Sequence, residues 1–339
     1  MPQPANAFDR YDLATAGDTV REDFTDMIYD ISPTETPFIN NCGRGTASAT
    51  SKEWQIDALA DAVDNGFHID GDDFAGDALD DPERIGNYLG ILRKDIVVTR
   101  RANKVNTAGF RKALAFQIAK KGKELKRDME ATLLANNAAL AGDSTTPPQF
   151  AGVPAWLKTN TSRGGTGADP ALSNTTYGFP TTAATDGTDR ALDESIISGL
   201  YEDIYIAGGN PKVLMAGPRA KAKFSRYMFG SDARVATPYQ DHGANKKNGL
   251  TVVGAVDVYV GDYGVYELVP NRFQREDDFF ILDMDYWSVD YLDGMITQEI
   301  AKSGDSEKRM LLVDFTLCSK NEAASGVFAD VDETLDMVA

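Results

Sequence analysis

The sequence predicts an α+β protein of more than one lobe from three observations: its length, one long amphipathic helical stripe, and a later run of short strands alternating with helix. At 339 residues the chain exceeds the size at which a single hydrophobic core stops growing, so two packed lobes, or one long domain with excursions, are expected. Charged residues at 25% and hydrophobic ones at 42% sit near the globular average, which is the composition of a folding chain.

The elements follow in chain order. Up to residue 48 polar and small residues carry a few apolar anchors, with Pro33 and Pro37 as breakers. Phe24, Met27, Ile28 and Ile31 have helical spacing, which predicts an extended arm with a short helix whose apolar face is covered by something, such as another subunit. Trp54 and Ile56 alternate outward from Lys52, and Ile91, Ile96 and Val98 alternate on a return, so two strands are expected around a central stretch. That stretch, Asp61–Asn87, is rich in Asp and Gly and short of large apolar residues. It reads as a long hairpin protruding from the body, a length that compact domains usually keep for function.

Phe110, Leu114, Ile118, Leu125, Met129 and Leu133 then form the stripe of one long helix. Gly122 interrupts it, which suggests close packing or a bend. The other face carries Arg111, Lys112, Lys120, Lys121, Lys123, Lys126 and Arg127, read as a solvated face supported by Lys120 with Glu124; a DNA-facing or scaffold-facing surface is the alternative. Residues 159–190 lack periodicity and read as a surface loop or small insertion. Ile196, Ile197, Leu200, Ile204 and Tyr205 predict a helix ending at Gly208 and Gly209. Short strands at Val213–Met215, Val256–Val260, Val265–Val269 and Phe279–Leu282, with helix at Arg219–Tyr227, predict a mixed α/β lobe, and Met310–Cys318 a late strand that must pair with something already built.

Chemistry is sought and not found. A net charge of −18 with a pI near 4.5 repels phosphates, so a nucleic-acid reader is not expected. Met1–Asp18 lacks the apolar core of a signal peptide, and the apolar runs fall far short of the roughly 20 residues a bilayer span needs, so neither export nor a membrane partner is expected. Cys42 and Cys318, the only cysteines, form no metal knuckle and read as buried thiols. His68 and His242 have no ligand-spaced partner. Asp70, Asp72, Asp73, Asp80 and Asp81 invite a Ca²⁺ loop, but Phe74 holds the fifth position and no Glu closes the pattern. Gly43, Arg44 and Gly45 lack the Lys-Ser/Thr ending of a phosphate loop. Pairings among 52 acidic residues are arbitrary, so no catalytic, cofactor or metal residue is named.

What remains is a chain built for contact with its own copies, and here a resemblance enters. The order of arm, hairpin, long helix, α/β lobe and returning strand resembles the major capsid proteins of tailed bacteriophages, with the Hong Kong 97 fold. More specific similarity, to the podophage-type major head protein subfamily, rests on AGDTVREDFTDMIYDISPTETPF (Ala16–Phe38), KEWQIDAL (Lys52–Leu59), KELKRDMEATLL (Lys123–Leu134), GVYELVPNRF (Gly264–Phe273), LDMDYW (Leu282–Trp287) and AKSGDSEKRMLLVDFTLCSKNEAASG (Ala301–Gly326). The resemblance spans most of the chain and is weakest at 159–190 and 228–249.

The resemblance implies an N-terminal arm at 1–50, an E-loop hairpin at 51–99, a peripheral domain with a spine helix at 100–158 and 295–339, a surface loop or insertion at 159–190, and an axial domain at 191–294. It implies no enzyme, but self-assembly into hexamers and pentamers of an icosahedral virion shell, put together in the host cytoplasm around a separately encoded scaffolding protein. A portal and a decoration or cement protein are further partners, and packaged DNA is touched only non-specifically. No long helical segment precedes the arm, which is why the scaffold is expected to be separate. The family's name-giving member welds subunits through an E-loop lysine; Trp54–Leu92 holds none, so non-covalent contacts are expected here. Candidate intersubunit contacts are Trp54, Phe67, Arg84, Tyr88, Arg93 and Arg234, large or forked groups in segments expected to protrude. The alternatives are an encapsulin-like cellular compartment and an enzyme with a cryptic carboxylate site.

Overall fold

The computed structural model describes residues 32–60, 62–65, 67–68, 70–71, 81–105, 112–173, 178–230, 257–302 and 304–332. The predicted arm helix at 24–31 and Phe110 lie outside them. The helices are α1 (Pro37–Asn41), α2 (Arg100–Lys104), α3 (Ala113–Leu133), α4 (Val153–Trp156), α5 (Glu194–Ile206) and α6 (Pro218–Gly230). The strands are β1 (Gly43–Thr46), β2 (Ser51–Ile56), β3 (Glu83–Tyr88), β4 (Gly90–Thr99), β5 (Asn160–Ser162), β6 (Ala171–Leu172), β7 (Pro180–Thr182), β8 (Val213–Ala216), β9 (Val258–Gly261), β10 (Gly264–Pro270), β11 (Phe279–Leu282), β12 (Trp287–Ile300), β13 (Ser306–Ser319) and β14 (Gly326–Phe328).

Two sheets organise the chain. One has the order β1-β12-β13-β4 and the other β5-β14-β11-β8-β10-β9. The predicted late strand is β13, which lies between β12 and β4, antiparallel to both. Helix α3 packs on β4 and β13 and buries Leu125, Met129 and Leu133, as a four-residue apolar spacing requires. Gly122 marks no close approach. The helix runs unbroken through it, and a Cβ there would lie 3.9 Å from Leu311 and Met295, an ordinary contact.

The second sheet is covered by α5 on β5 and β14 and by α6 on β10. Its central strand β11, Phe-Phe-Ile-Leu, is buried throughout, which explains a continuous apolar run instead of alternation. Helix α5 starts on Asp193, whose carboxylate accepts from the Ser195 N–H at 2.9 Å, and ends before Gly208 at φ +91°, a left-handed position where glycine costs least.

Three expectations are corrected. The return strand of the hairpin is β3, paired with β2 from Ser51↔Tyr88 to Ile56↔Glu83. Ile91, Ile96 and Val98 belong to β4, paired with β13, and Ile91 faces away from the buried Ile96 and Val98. Strand β12 was not predicted, because its second half is exposed and lacks the alternation that marks a strand.

The third correction concerns 159–190, expected as a surface loop or small insertion, which is packed onto the body. Its first residues form β5, parallel to β14, and Phe179 and Ala184 are buried. Asn136 clasps Ala184, donating to its carbonyl at 2.7 Å and accepting its N–H at 3.2 Å. Buried Asp330, at φ 60°, accepts the N–H of Gly164 and of Gly187, each at 2.8 Å. Both turns need glycine: a Cβ would stand 2.1 Å from the Thr188 carbonyl oxygen at Gly164 and 2.7 Å from the Gly164 carbonyl oxygen at Gly187.

Candidate functional site

The hairpin carries most of the candidate contact residues and its base is embedded. Asn87 is fully buried and joins three segments. Its amide donates to the Leu317 carbonyl at 2.8 Å and the Ala151 carbonyl at 3.2 Å, while its Oδ1 accepts the Ala151 N–H at 2.9 Å. Ile85 is buried beside it. The protrusion predicted as Asp61–Asn87 therefore ends before β3, and the described residues between β2 and β3 are the exposed ones.

That part is acidic and exposes apolar groups: Leu59 is 98% exposed, Val63 76% and Phe67 89%. Three large apolar side chains in water on one strand connection make a surface that calls for a partner. The predicted contacts separate accordingly. Phe67 stands free in solvent, and Arg93 is exposed beside Asp95 at 3.4 Å. Arg84 makes an ion pair with Glu53 across the two hairpin strands and stays half-exposed. Trp54 and Tyr88 are half-buried within the subunit: Trp54 packs on Trp156 with ring centroids 5.5 Å apart, and Tyr88 on Phe179 at 4.5 Å, so both rings help anchor the hairpin. Arg234 lies outside the described residues.

No lysine projects from the hairpin, and the two that flank it are engaged at its base. Lys52 donates to the Thr46 carbonyl at 2.8 Å and lies 3.4 Å from Asp290; Lys94 lies 2.5 Å from Asp128. On the basic face of α3, Glu124 pairs with Lys121 at 2.6 Å instead of the expected Lys120.

A residue that sequence reading missed holds α1 in place. Glu130, fully buried on α3, accepts the N–H groups of Phe38 at 2.7 Å and Ile39 at 3.0 Å, and the Asn271 side-chain amide at 2.7 Å. Burial pushes its pKa up while these three bonds pull it back down. It ties α1, α3 and the end of β10 together. The signal was there: Glu130 precedes Leu133 and Leu134 by three and four residues, so it shares their buried face.

Among the described residues no group of His, Cys, Asp and Glu stands together as a metal site. Burial pushes the Cys318 thiol up to about 12 and Cys42 higher still, which leaves both un-ionised and poor nucleophiles at neutral pH. No helix among the described residues is long and apolar enough to cross a membrane.

The comparisons agree with a shell role. The profile of the SU10 major capsid protein family matches residues 5–332. The major capsid protein of Escherichia phage Phieco32 is 27% identical over 330 residues, covering 90% of this chain and 92% of that one. Among solved structures, the capsid of cyanophage A-1(L) superposes with a TM-score of 0.61 at 14% identity, over 93% of this chain and 98% of that one. The capsid of a native GTA particle gives 0.61 at 12% identity, over 96% and 100%. An encapsulin complex from Synechococcus elongatus gives 0.54 at 13%, over 98% and 99%. At such identities the structural likeness establishes the fold alone, which is of the Hong Kong 97 type.

Proposed function

The chain belongs to the SU10 major capsid protein family and is a bacteriophage head-shell subunit; from that premise we propose that its copies form hexamers and pentamers locked by the hairpin of one lying over the next. In this reading the arm, the hairpin, the long helix with its four-stranded sheet, and the six-stranded sheet stand for the family's N-arm, E-loop, peripheral domain and axial domain. Their order in the chain supports it, as does β12, which returns from the six-stranded sheet to the first and lies with β13 in its middle. The observation that carries the reading is the hairpin's exposed Leu59, Val63 and Phe67, which no fold of the isolated subunit needs.

Phe67, Arg84 and Arg93, with Arg234 and the half-buried Trp54 and Tyr88, are the intersubunit contacts of this reading. Scaffolding protein, portal and a cement protein are its other partners, and assembly proceeds in the host cytoplasm. The role is structural and no reaction is assigned to it. An encapsulin-like compartment shares the fold, but the family match points to the phage shell. The engaged Lys52 and Lys94 support a shell without isopeptide welds.

Replacing residues 59–81 by a short Gly/Ser linker keeps β2, β3 and the Asn87 clasp. The expected product is a folded chain with an unchanged melting midpoint that gives no closed shells by electron microscopy, whereas intact shells from the parent chain, boiled in detergent, run as one monomer band. Normal shells from the shortened chain would sink the reading.

A further inference from the structure

A pocket of about 430 Å³ opens between α1, β1, α3 and the stretch of β12 where its pairing with β13 slips. Ile39, Met129, Tyr291 and Met295 make it apolar, and the exposed Arg44 and Lys126 add two cations. The size lies within the roughly 300–1,000 Å³ of clefts that enclose a small ligand, so a whole aromatic side chain fits. Methionine is unbranched and its sulfur favours the edge of a ring, and two methionines share this lining. Two cations on a chain of net charge −18 call for an occupant with carboxylates beside its apolar group.

The exposed part of the hairpin matches that description. Phe67 stands in solvent with Leu59 and Val63 before it, and Asp57, Asp64 and Asp70 are exposed around it. The hairpin leaves the body next to this same pocket, since Lys52 of β2 donates to the carbonyl of Thr46, a lining residue. Phe67 is nonetheless 89% exposed, so the subunit does not seat it in its own pocket. A knob and a socket on separate surfaces of one chain make a head-to-tail contact, which closes into a ring when the rotation allows. We propose that Phe67 of one copy enters this pocket on the next, its ring on Met129, Tyr291 and Met295, with the carboxylates of Asp57, Asp64 and Asp70 toward Arg44 and Lys126. The proposal rests on the reading that the hairpin of one subunit lies over its neighbour, and it names where the neighbour receives it.

The test mixes two singly substituted full chains, Phe67→Cys and Met295→Cys, then assembles and mildly oxidises them. The expected product is a disulfide-linked dimer, mapped by peptides to positions 67 and 295. Its yield should be at least ten-fold above that from Phe67→Cys mixed with Ile206→Cys, an exposed site on α5. Equal yields overturn the proposal, as does a bond formed only within one chain when that chain carries both cysteines. A charge swap needs no cysteine. Arg44→Glu with Lys126→Glu should cut the yield of closed shells at least ten-fold without moving the melting midpoint of the unassembled chain, and Asp57→Lys, Asp64→Lys and Asp70→Lys added to it should restore most of that yield. Undiminished shells, or a loss with no rescue, overturn the proposal. The chain with residues 59–81 replaced separates the two readings: if it still forms shells the hairpin reading falls, whereas if it forms none and position 295 shows no preference, the pocket alone is wrong.

Discussion

The connection between β2 and β3 and the stretch 159–190 draw on the same small, polar and acidic residues, yet one projects and the other is folded onto the body. Each contains a phenylalanine. Phe67 is exposed to solvent, while Phe179 is buried against Tyr88 at the foot of the hairpin. The difference lies outside both segments. The second stretch meets Asn136, Asp330 and Arg275, which capture Ala184, two glycine turns and Asp186, the last at 2.8 Å. Each bond satisfies a backbone or charged group that would otherwise need water. Among the described residues the hairpin meets no such partners beyond its base, so the exposed Leu59, Val63 and Phe67 stay available to another copy.

Substitutions can break this contrast in order of size. Phe179→Ala empties a packed site under the hairpin and should lower the stability of the unassembled chain by about 3–5 kcal/mol in urea unfolding; a loss under about 1 kcal/mol would mean the stretch is not part of the core. Asp330→Ala leaves the Gly164 and Gly187 N–H groups without their acceptor and keeps a side chain at φ 60°, where an alanine is strained. A loss of about 2–4 kcal/mol is expected, together with faster exchange at those two amides, and unchanged exchange would detach Asp330 from the anchoring role. Phe67→Ala should change the subunit's unfolding by less than about 0.5 kcal/mol while reducing the yield of closed shells. If its stability cost approached that of Phe179→Ala, the hairpin would be packed in the free subunit and the contrast would fail.

Local pattern was enough for the long helix, for α5 with its glycine stop, and for β8, β10, β11 and β13, since each buries a face whose period is written in neighbouring residues. The ordered blocks of capsid-like sequence were likewise legible without coordinates. Pairing was not. That β2 partners β3 and not β4, that β12 exists at all, and that Trp54 and Tyr88 turn inward depend on groups far away in the chain, such as the Leu317 carbonyl, which accepts from the Asn87 amide. Glu130 shows the same limit: its position on a buried face was readable, but the N–H groups of Phe38 and Ile39 that make a buried carboxylate tolerable were not. The sequence by itself determined which segments could bury a face; only the tertiary structure decided which of the rest, the hairpin or 159–190, found its missing partners within the subunit, because hydrogen bonds and packing across the chain depend on where distant residues come to lie.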